Sequence, residues 1–238
     1  EVAKTCKEKN IKIISNAGGL NPESMAKEVV SILAEIDVDA KVAYIDGDNL
    51  IDELDQLQTQ GETFENIDRK IPLSESGCKV LTANTYLGCW GIKEALDLGA
   101  DIVICPRVTD ASLTMGAAAW KFNWQRDDYD ALAGSLAAGH IIECGAQATG
   151  GNYSFFEEVP TFKDIGYPIA QIEKDGSFTI TKHPDTGGLV SIGTVTAQLL
   201  YEIAAPEYLN PDVIAHFDTL KIKQVSDDKV QVTGCKGS

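Results

Sequence analysis

Histidine is scarce in this chain: His140, His183 and His216 are the only three in 238 residues. Imidazole chemistry must come from one of those places, and only His140 lies in a stretch that reads as a site. Cations are few as well, 20 Lys and Arg against 36 Asp and Glu, for a net charge of −16. Without a basic surface there is no electrostatic hold on phosphates, which excludes nucleic acid as a partner. An anionic ligand has to be held locally, by helix N-termini or by single Lys and Arg residues. Long apolar runs are missing too. Stretches such as 102–106 and 131–142 fall far short of the ~20 apolar residues that span a bilayer, so no membrane partner is expected. The six cysteines, Cys6, Cys78, Cys89, Cys105, Cys144 and Cys235, show no CxxC or finger spacing, which points to a reducing, cytoplasmic compartment. Asn152-Tyr153-Ser154 matches a glycosylation sequon, but the pattern recurs by chance and nothing else argues for secretion.

What is present is an ordinary globular composition, 44% hydrophobic and 24% charged, enough to bury a large core as one or two domains. Residues 11–15 form a β-branched run. It leads through Asn16-Ala17-Gly18-Gly19-Leu20-Asn21-Pro22 into 23–36, where Met25, Val29, Ile32, Leu33 and Ile36 recur at helical spacing. Asn21 as N-cap and Pro22 at the first helical position mark the helix start. The Gly-Gly loop thus sits at a strand's carboxyl end, where open α/β sheets place their ligands. It fits neither GxGxxG nor GxxxxGK[ST], which argues against a dinucleotide fingerprint and a P-loop.

Residues 41–45 read as the next strand, ending at Asp46-Gly47-Asp48-Asn49, where the aspartates either hold Mg²⁺ or ribose hydroxyls or serve as turn and cap. A polar helix follows over about 50–60, then a polar surface excursion over 61–77. A third strand is expected at 80–83, ending at Asn84, and a helix over 92–98 is stopped by Gly99. Residues 101–105 have the fully apolar look of a buried parallel strand. Its end, Pro106-Arg107-Val108-Thr109-Asp110-Ala111-Ser112, opens a helix reaching about 122, with Thr109 or Asp110 as N-cap. Arg107 is the one basic residue among these strand ends, either an anion holder or a structural partner of Asp110.

This alternation predicts an α/β fold over residues 1–153, a mostly parallel sheet with right-handed crossovers and helices on both faces. From 154 to 238 the pattern becomes antiparallel and hairpin-rich. Residues 169–173 and 177–181 flank Lys174-Asp175-Gly176, and 222–225 and 230–233 flank Asp227-Asp228, with a helix over 194–203 between the hairpins. The chain opens on Glu1 in what reads as the tail of a helix over residues 1–8 and closes just after a strand, so we expect a piece of a longer protein that supplies earlier strands of the same sheet.

One segment concentrates reactive groups: Gly139-His140-Ile141-Ile142-Glu143-Cys144-Gly145-Ala146-Gln147-Ala148-Thr149-Gly150-Gly151. Ile141 and Ile142 predict a buried strand or turn, with glycines that let the backbone approach a ligand. The competing reading is a Gly-rich connection with a core histidine and an inert cysteine. Thr186-Gly187-Gly188 echoes Thr149-Gly150-Gly151. His140 and Glu143 can each be tuned toward neutral pH by burial and serve as acid or base, with Asp110 beside them and Cys144 as a weaker nucleophile candidate. A metal site would combine His140 and Glu143 with Asp46, Asp48 or Asp110; His-x-x-Glu suits one helical face, but the glycines speak against a helix there. We expect His140, Glu143, Arg107 and Asp110 to meet the 16–19 loop in one cleft, because the strand-end loops of one parallel sheet face the same side.

Four stretches, Ser15-Asn16-Ala17-Gly18-Gly19-Leu20-Asn21-Pro22, Gly99-Ala100-Asp101-Ile102-Val103-Ile104 with Arg107 and Asp110-Ala111-Ser112, residues 139–151, and Thr186-Gly187-Gly188-Leu189-Val190, together resemble the acyclic terpene utilisation (AtuA) family over nearly the whole chain. Family members are longer at both ends, and a glycine usually precedes the arginine; Pro106 stands there in this chain and offers no backbone N–H. The resemblance implies a part in bacterial breakdown of acyclic terpenes such as citronellol and geraniol, a pathway that runs through CoA thioesters, without fixing a reaction.

The expected function is then an enzyme acting on a branched acyl-CoA or related carboxylic acid by acid/base chemistry, hydratase- or lyase-like. Arg107 would hold a carboxylate or phosphate. The Gly-Gly turns at Gly18, Gly19, Gly150, Gly151, Gly187 and Gly188 would offer N–H groups to a thioester oxyanion. Asn16, Asp46, Asn84, Gln147 and Thr186 complete the candidate ligand-binding set. The alternatives are a non-catalytic ligand-binding or accessory subunit and a metal-dependent hydro-lyase or hydrolase. A CoA thioester is the ligand to look for, and a divalent metal is not indicated. The expected partners are a small-molecule substrate and either a second copy of the chain or its own further terminal segments.

Overall fold

The computed structural model describes residues 2–238. In its first part, α1 (Ala3–Glu8) and β1 (Ile13–Ser15) are followed by α2 (Pro22–Glu35), β2 (Val42–Tyr44) and α3 (Leu54–Thr59), then by α4 (Trp90–Asp97), β3 (Ile102–Ile104), α5 (Asp110–Phe122) and α6 (Tyr129–Ile142). Glu1, the first residue of the helix expected over 1–8, lies outside the described residues. The expected start of α2 is present: the Asn21 side chain accepts the Ser24 N–H at 3.1 Å, with Pro22 in the first helical position.

β1, β3 and β2 form a parallel sheet with β3 in the centre, Val103 lying opposite both Ile14 and Ala43. Successive side chains of a strand point to opposite faces. Ile102 and Ile104 accordingly join Ala26 and Leu33 of α2, while Val103 and Cys105 join Ile92, Ala95 and Leu96 of α4. Burial on both sides is why this strand carries no polar side chain.

The second part contains β4 (Pro168–Ile172), β5 (Phe178–Lys182), α7 (Ile192–Leu199), β6 (Glu207–Leu209), β7 (Ile214–His216), β8 (Lys221–Ser226), β9 (Lys229–Thr233) and β10 (Lys236–Gly237). Both expected hairpins form, within a four-stranded antiparallel sheet of order β4-β5-β9-β8; a second antiparallel sheet has the order β10-β7-β6.

Two expectations are corrected. No strand forms over 80–83: Leu81 is 78% exposed, so this run has no buried face to hold it against the sheet, and only an isolated bridge joins Asn49 to Asn84. Among the described residues the parallel sheet therefore stops at three of ten strands, and most strand pairing is antiparallel. The segment at His140, Ile141 and Ile142 is no strand or turn but the end of a helix, α6, whose residues 131–141 are all buried. Two of its glycines serve close approach rather than turning. A Cβ at Gly134 would collide with the carbonyl of Gly176 in the β4–β5 turn, and one at Gly139 would lie 2.9 Å from the Ala111 backbone of α5. Tertiary packing overrides the cost of about 1 kcal/mol that each glycine imposes on a helix interior. α6 packs on α5 and on the antiparallel strands, and the largest hydrophobic cluster joins Met115, Leu132, Leu136 and Ile141 to Phe178, Ile180, Val230 and Val232.

Candidate functional site

The site begins where β1 and β3 end. The Asn16 amide donates to the Asp110 carboxylate at 3.0 Å, which ties the 16–19 loop to the first turn of α5. Thr109 occupies the N-cap position, yet its hydroxyl does not cap the helix; it pairs with Ser112 and donates to Asn210 Oδ1 at 3.0 Å. Asp110 is left in the first turn, where a negative charge is favoured by the helix dipole.

Glu143 reaches the same place from the C-terminal end of α6. It is half-buried, and its proton affinity is pushed up to about 7, first by burial and then by the facing carboxylates of Asp110 and Glu202. Glu202 sits in a left-handed turn after α7, with φ 60°. The Cys144 thiol lies 3.8 Å from Glu143 Oε1. Burial raises its pKa and the Glu143 charge adds to the effect, so the thiolate a nucleophile needs is disfavoured. Tyr208 joins the group: burial raises its hydroxyl pKa, followed by the charges of Glu143, Asp110 and Glu202.

His140 lies behind this cluster, 1% exposed. Its ring packs against Tyr208 and Phe217, with centroids 5.1 and 5.8 Å away. Neither ring nitrogen has a partner in good hydrogen-bond geometry, although backbone carbonyls of Gln198, Leu199 and Tyr201 lie close to the ring. Burial lowers its pKa, opposed in part by backbone groups at the end of α7. The fully buried Gln198 beside it receives a 3.5 Å contact from Asn152, while its own Nε2 meets no partner in good geometry. That nitrogen still lies close enough to the Cys144 sulfur to work weakly against the rise in the thiol pKa.

Arg107 belongs to a different neighbourhood. Its guanidinium lies over the Tyr86 ring at 5.3 Å, and among the described residues it forms no ion pair, with Asp110 or any other carboxylate. Asp48, 4% exposed, accepts from the Asn84 amide at 2.7 Å and from the Arg107 N–H at 3.4 Å. Asp48 and Asn84 are thus a stitch between strand ends. Asp46 is exposed beside them and takes no part in that stitch.

The Gly-Gly turns overturn the expectation of a ready oxyanion hole. The N–H of Gly18 donates to the Cys105 carbonyl, Gly19 to Asn16, Gly150 to Gln147, Gly151 to Ala146, Gly187 to Asp164 and Gly188 to Thr161. All six donors are spent on the protein's own backbone. The echo between 149–151 and 186–188 is a mutual seam: Leu189 N–H bonds the Thr149 carbonyl at 2.9 Å, and the Thr149 and Thr186 hydroxyls bond the Gly166 and His183 carbonyls. Gln147 leaves a buried Oε1 without a partner.

The structure therefore gathers Asn16, Asp110, Glu143 and Cys144, with His140 walled off behind them. Arg107 is not among the charges that act on Glu143. Glu202, Tyr208 and Gln198 were missed from sequence. Among the described residues no three His, Cys, Asp or Glu side chains are arranged to hold a metal ion, including the set built on His140 and Glu143. Among the described residues no helix is long and apolar enough to cross a membrane.

No curated protein and no solved structure matches the chain. The family described as "Acyclic terpene utilisation family protein AtuA" matches residues 1–238, every residue from the first helix through the strand-end loops, α6 and the antiparallel sheets. On that match, the chain belongs to the acyclic terpene utilisation (AtuA) family.

Proposed function

We propose that this protein is an enzyme of acyclic terpene catabolism that acts by proton transfer on a branched acyl-CoA or related carboxylic acid, as a hydratase or lyase does, with Glu143 as the proton-carrying group. The observation that carries this reading is the environment of Glu143, where burial and the two facing carboxylates of Asp110 and Glu202 set its proton affinity at about 7. A group at its midpoint near neutral pH can both accept and return a proton, the condition for efficient general acid–base catalysis. His140 competes poorly for the role, because both of its nitrogens are sealed from any ligand by packing and burial favours the neutral ring. Arg107, stacked on Tyr86 and free of a carboxylate, is the group to hold an anionic part of the substrate.

The test is turnover on a panel of branched acyl-CoA thioesters and free acids. Glu143→Gln should lose at least ~10²-fold in kcat, the share usual for one general acid or base, with its melting transition intact. Full turnover by Glu143→Gln would end this reading. Tight binding of the panel without any turnover would assign the chain to the ligand-binding subunits instead.

A further inference from the structure

Along the side of α5 runs an open surface groove of about 510 Å³. Leu113, Ala117, Lys121 and Phe122 of α5 line it together with Ile14 of β1 and Ile172 of β4, and Lys121 is exposed. Leu113, Ala117 and Lys121 fall four residues apart and so share one helix face. The cleft is the seam between two cores: Ile14 and Leu113 pack on the β3–α4 cluster, Phe122 and Ile172 on the α6 cluster. β1 and β4 are each the edge of their sheet, so no further strand of the described chain covers either edge.

Its charge sets it apart from the rest of the molecule. The chain carries 36 acidic residues, yet the cleft lining contains none, only two lysines. Lys12 is held by Asp101 at 3.0 Å and sits over the Trp120 ring at 6.0 Å, so its charge is already answered. Lys121 has no carboxylate partner among the described residues. An apolar trough ending at one unanswered cation matches a ligand with an apolar body and one negative end.

We propose that this cleft is a binding site for a small amphipathic monocarboxylate, its aliphatic body against Leu113, Ala117 and Phe122 and its carboxylate at Lys121. The assignment does not depend on Glu143 being catalytic. Octanoate is the probe, with octylammonium as the charge-reversed control, followed by calorimetry and by NMR of the Ala117, Ala170, Ile14 and Ile172 methyls in the full chain. Octanoate should shift these methyls saturably and bind at least tenfold more tightly than octylammonium. Lys121→Glu, an exposed change that leaves packing alone, should weaken octanoate at least tenfold, and Ala117→Phe should block it. The proposal is overturned if octanoate produces no saturable shift at millimolar concentration, if octylammonium binds as tightly, or if Lys121→Glu leaves the affinity unchanged. A peptide that shifts β1 or β4 amides while octanoate does not would identify the cleft as a strand-docking edge and equally reject the proposal.

Discussion

The Asp212 carboxylate accepts the backbone N–H of Cys89 at 2.7 Å, across 123 residues of sequence. α4 brings no capping side chain of its own, so a loop between two antiparallel strands supplies the acceptor that its first turn needs. Gly88 makes room for it, since a Cβ there would collide with the carboxylate. Burial and the Asp212 charge together hold the Cys89 thiol far above the ordinary range. Asp212→Ala should lower stability by about 1–2 kcal/mol, the usual cost of a lost N-cap. Asp212→Asn, which keeps an acceptor oxygen, should lose less. Urea denaturation of the two variants checks the order; equal losses would show that the charge, and not the hydrogen bond, matters.

Glu143 should make stability pH-dependent in a definite direction. Its folded pKa of about 7 lies above the ordinary 4.5, so the folded state holds the proton more tightly than the unfolded chain. The contribution is fully present below about pH 4.5 and is lost as pH rises through about 7. A full shift of this size would amount to about 3 kcal/mol, and partial solvent access reduces it to about 1–2. Glu143→Gln should therefore gain on the parent between pH 5 and pH 8 by that amount. A parent–variant difference that stays flat over this window would refute the assigned shift.

His140 should behave as a packing residue. Its ring nitrogens have no partner in good geometry, which costs stability, and the ring is clamped by Tyr208 and Phe217. His140→Phe should fold with stability equal to or about 1 kcal/mol above the parent, whereas His140→Ala should lose about 2–4 kcal/mol by opening a cavity. Should His140→Phe keep its fold but abolish turnover, the imidazole would have to be returned to the catalytic set.

Arg107→Ala should cost about 2 kcal/mol or more in affinity for an anionic ligand, with Arg107→Lys recovering only part, because an ammonium does not copy the guanidinium fork. Stability should hardly change, as the side chain is exposed and lies over the Tyr86 ring. Calorimetry with a CoA ester measures the first and a thermal melt the second.

Much of the fold was legible because it is written locally. Asn21-Pro22 announces α2 by cap chemistry, the unbroken apolar text of 102–104 announces a strand buried on both faces, and Asp175-Gly176, with Gly176 at φ 81°, announces a hairpin. α6 was not legible. A helix buried all round has no polar face and so no periodicity to read, and Gly134 and Gly139 look like breakers until their close neighbours are known. The Asn16–Asp110 half of the site followed from the rule that ligands gather at strand ends. The Glu202–Tyr208 half did not, because it is delivered by a turn with no motif, about sixty residues from Glu143 in sequence. The paired Thr-Gly-Gly stretches misled in the opposite direction, since carbonyl-to-amide seams demand glycine as strongly as ligands do.

Gly139 stands four residues before Glu143 in α6, and it touches α5 at Ala111, the neighbour of Asp110. A Cβ at position 139 would meet the Ala111 backbone at 2.9 Å and Thr114 Cβ at 3.1 Å, so the close approach of α6 to α5 beside Asp110 depends on this glycine. A single methyl group at position 139 would act as a wedge, spreading the two helices and admitting more water beside the half-buried Glu143. Both changes would weaken the forces that hold the proton on Glu143, so its titration would slide toward that of an ordinary glutamate while the residue itself stayed untouched.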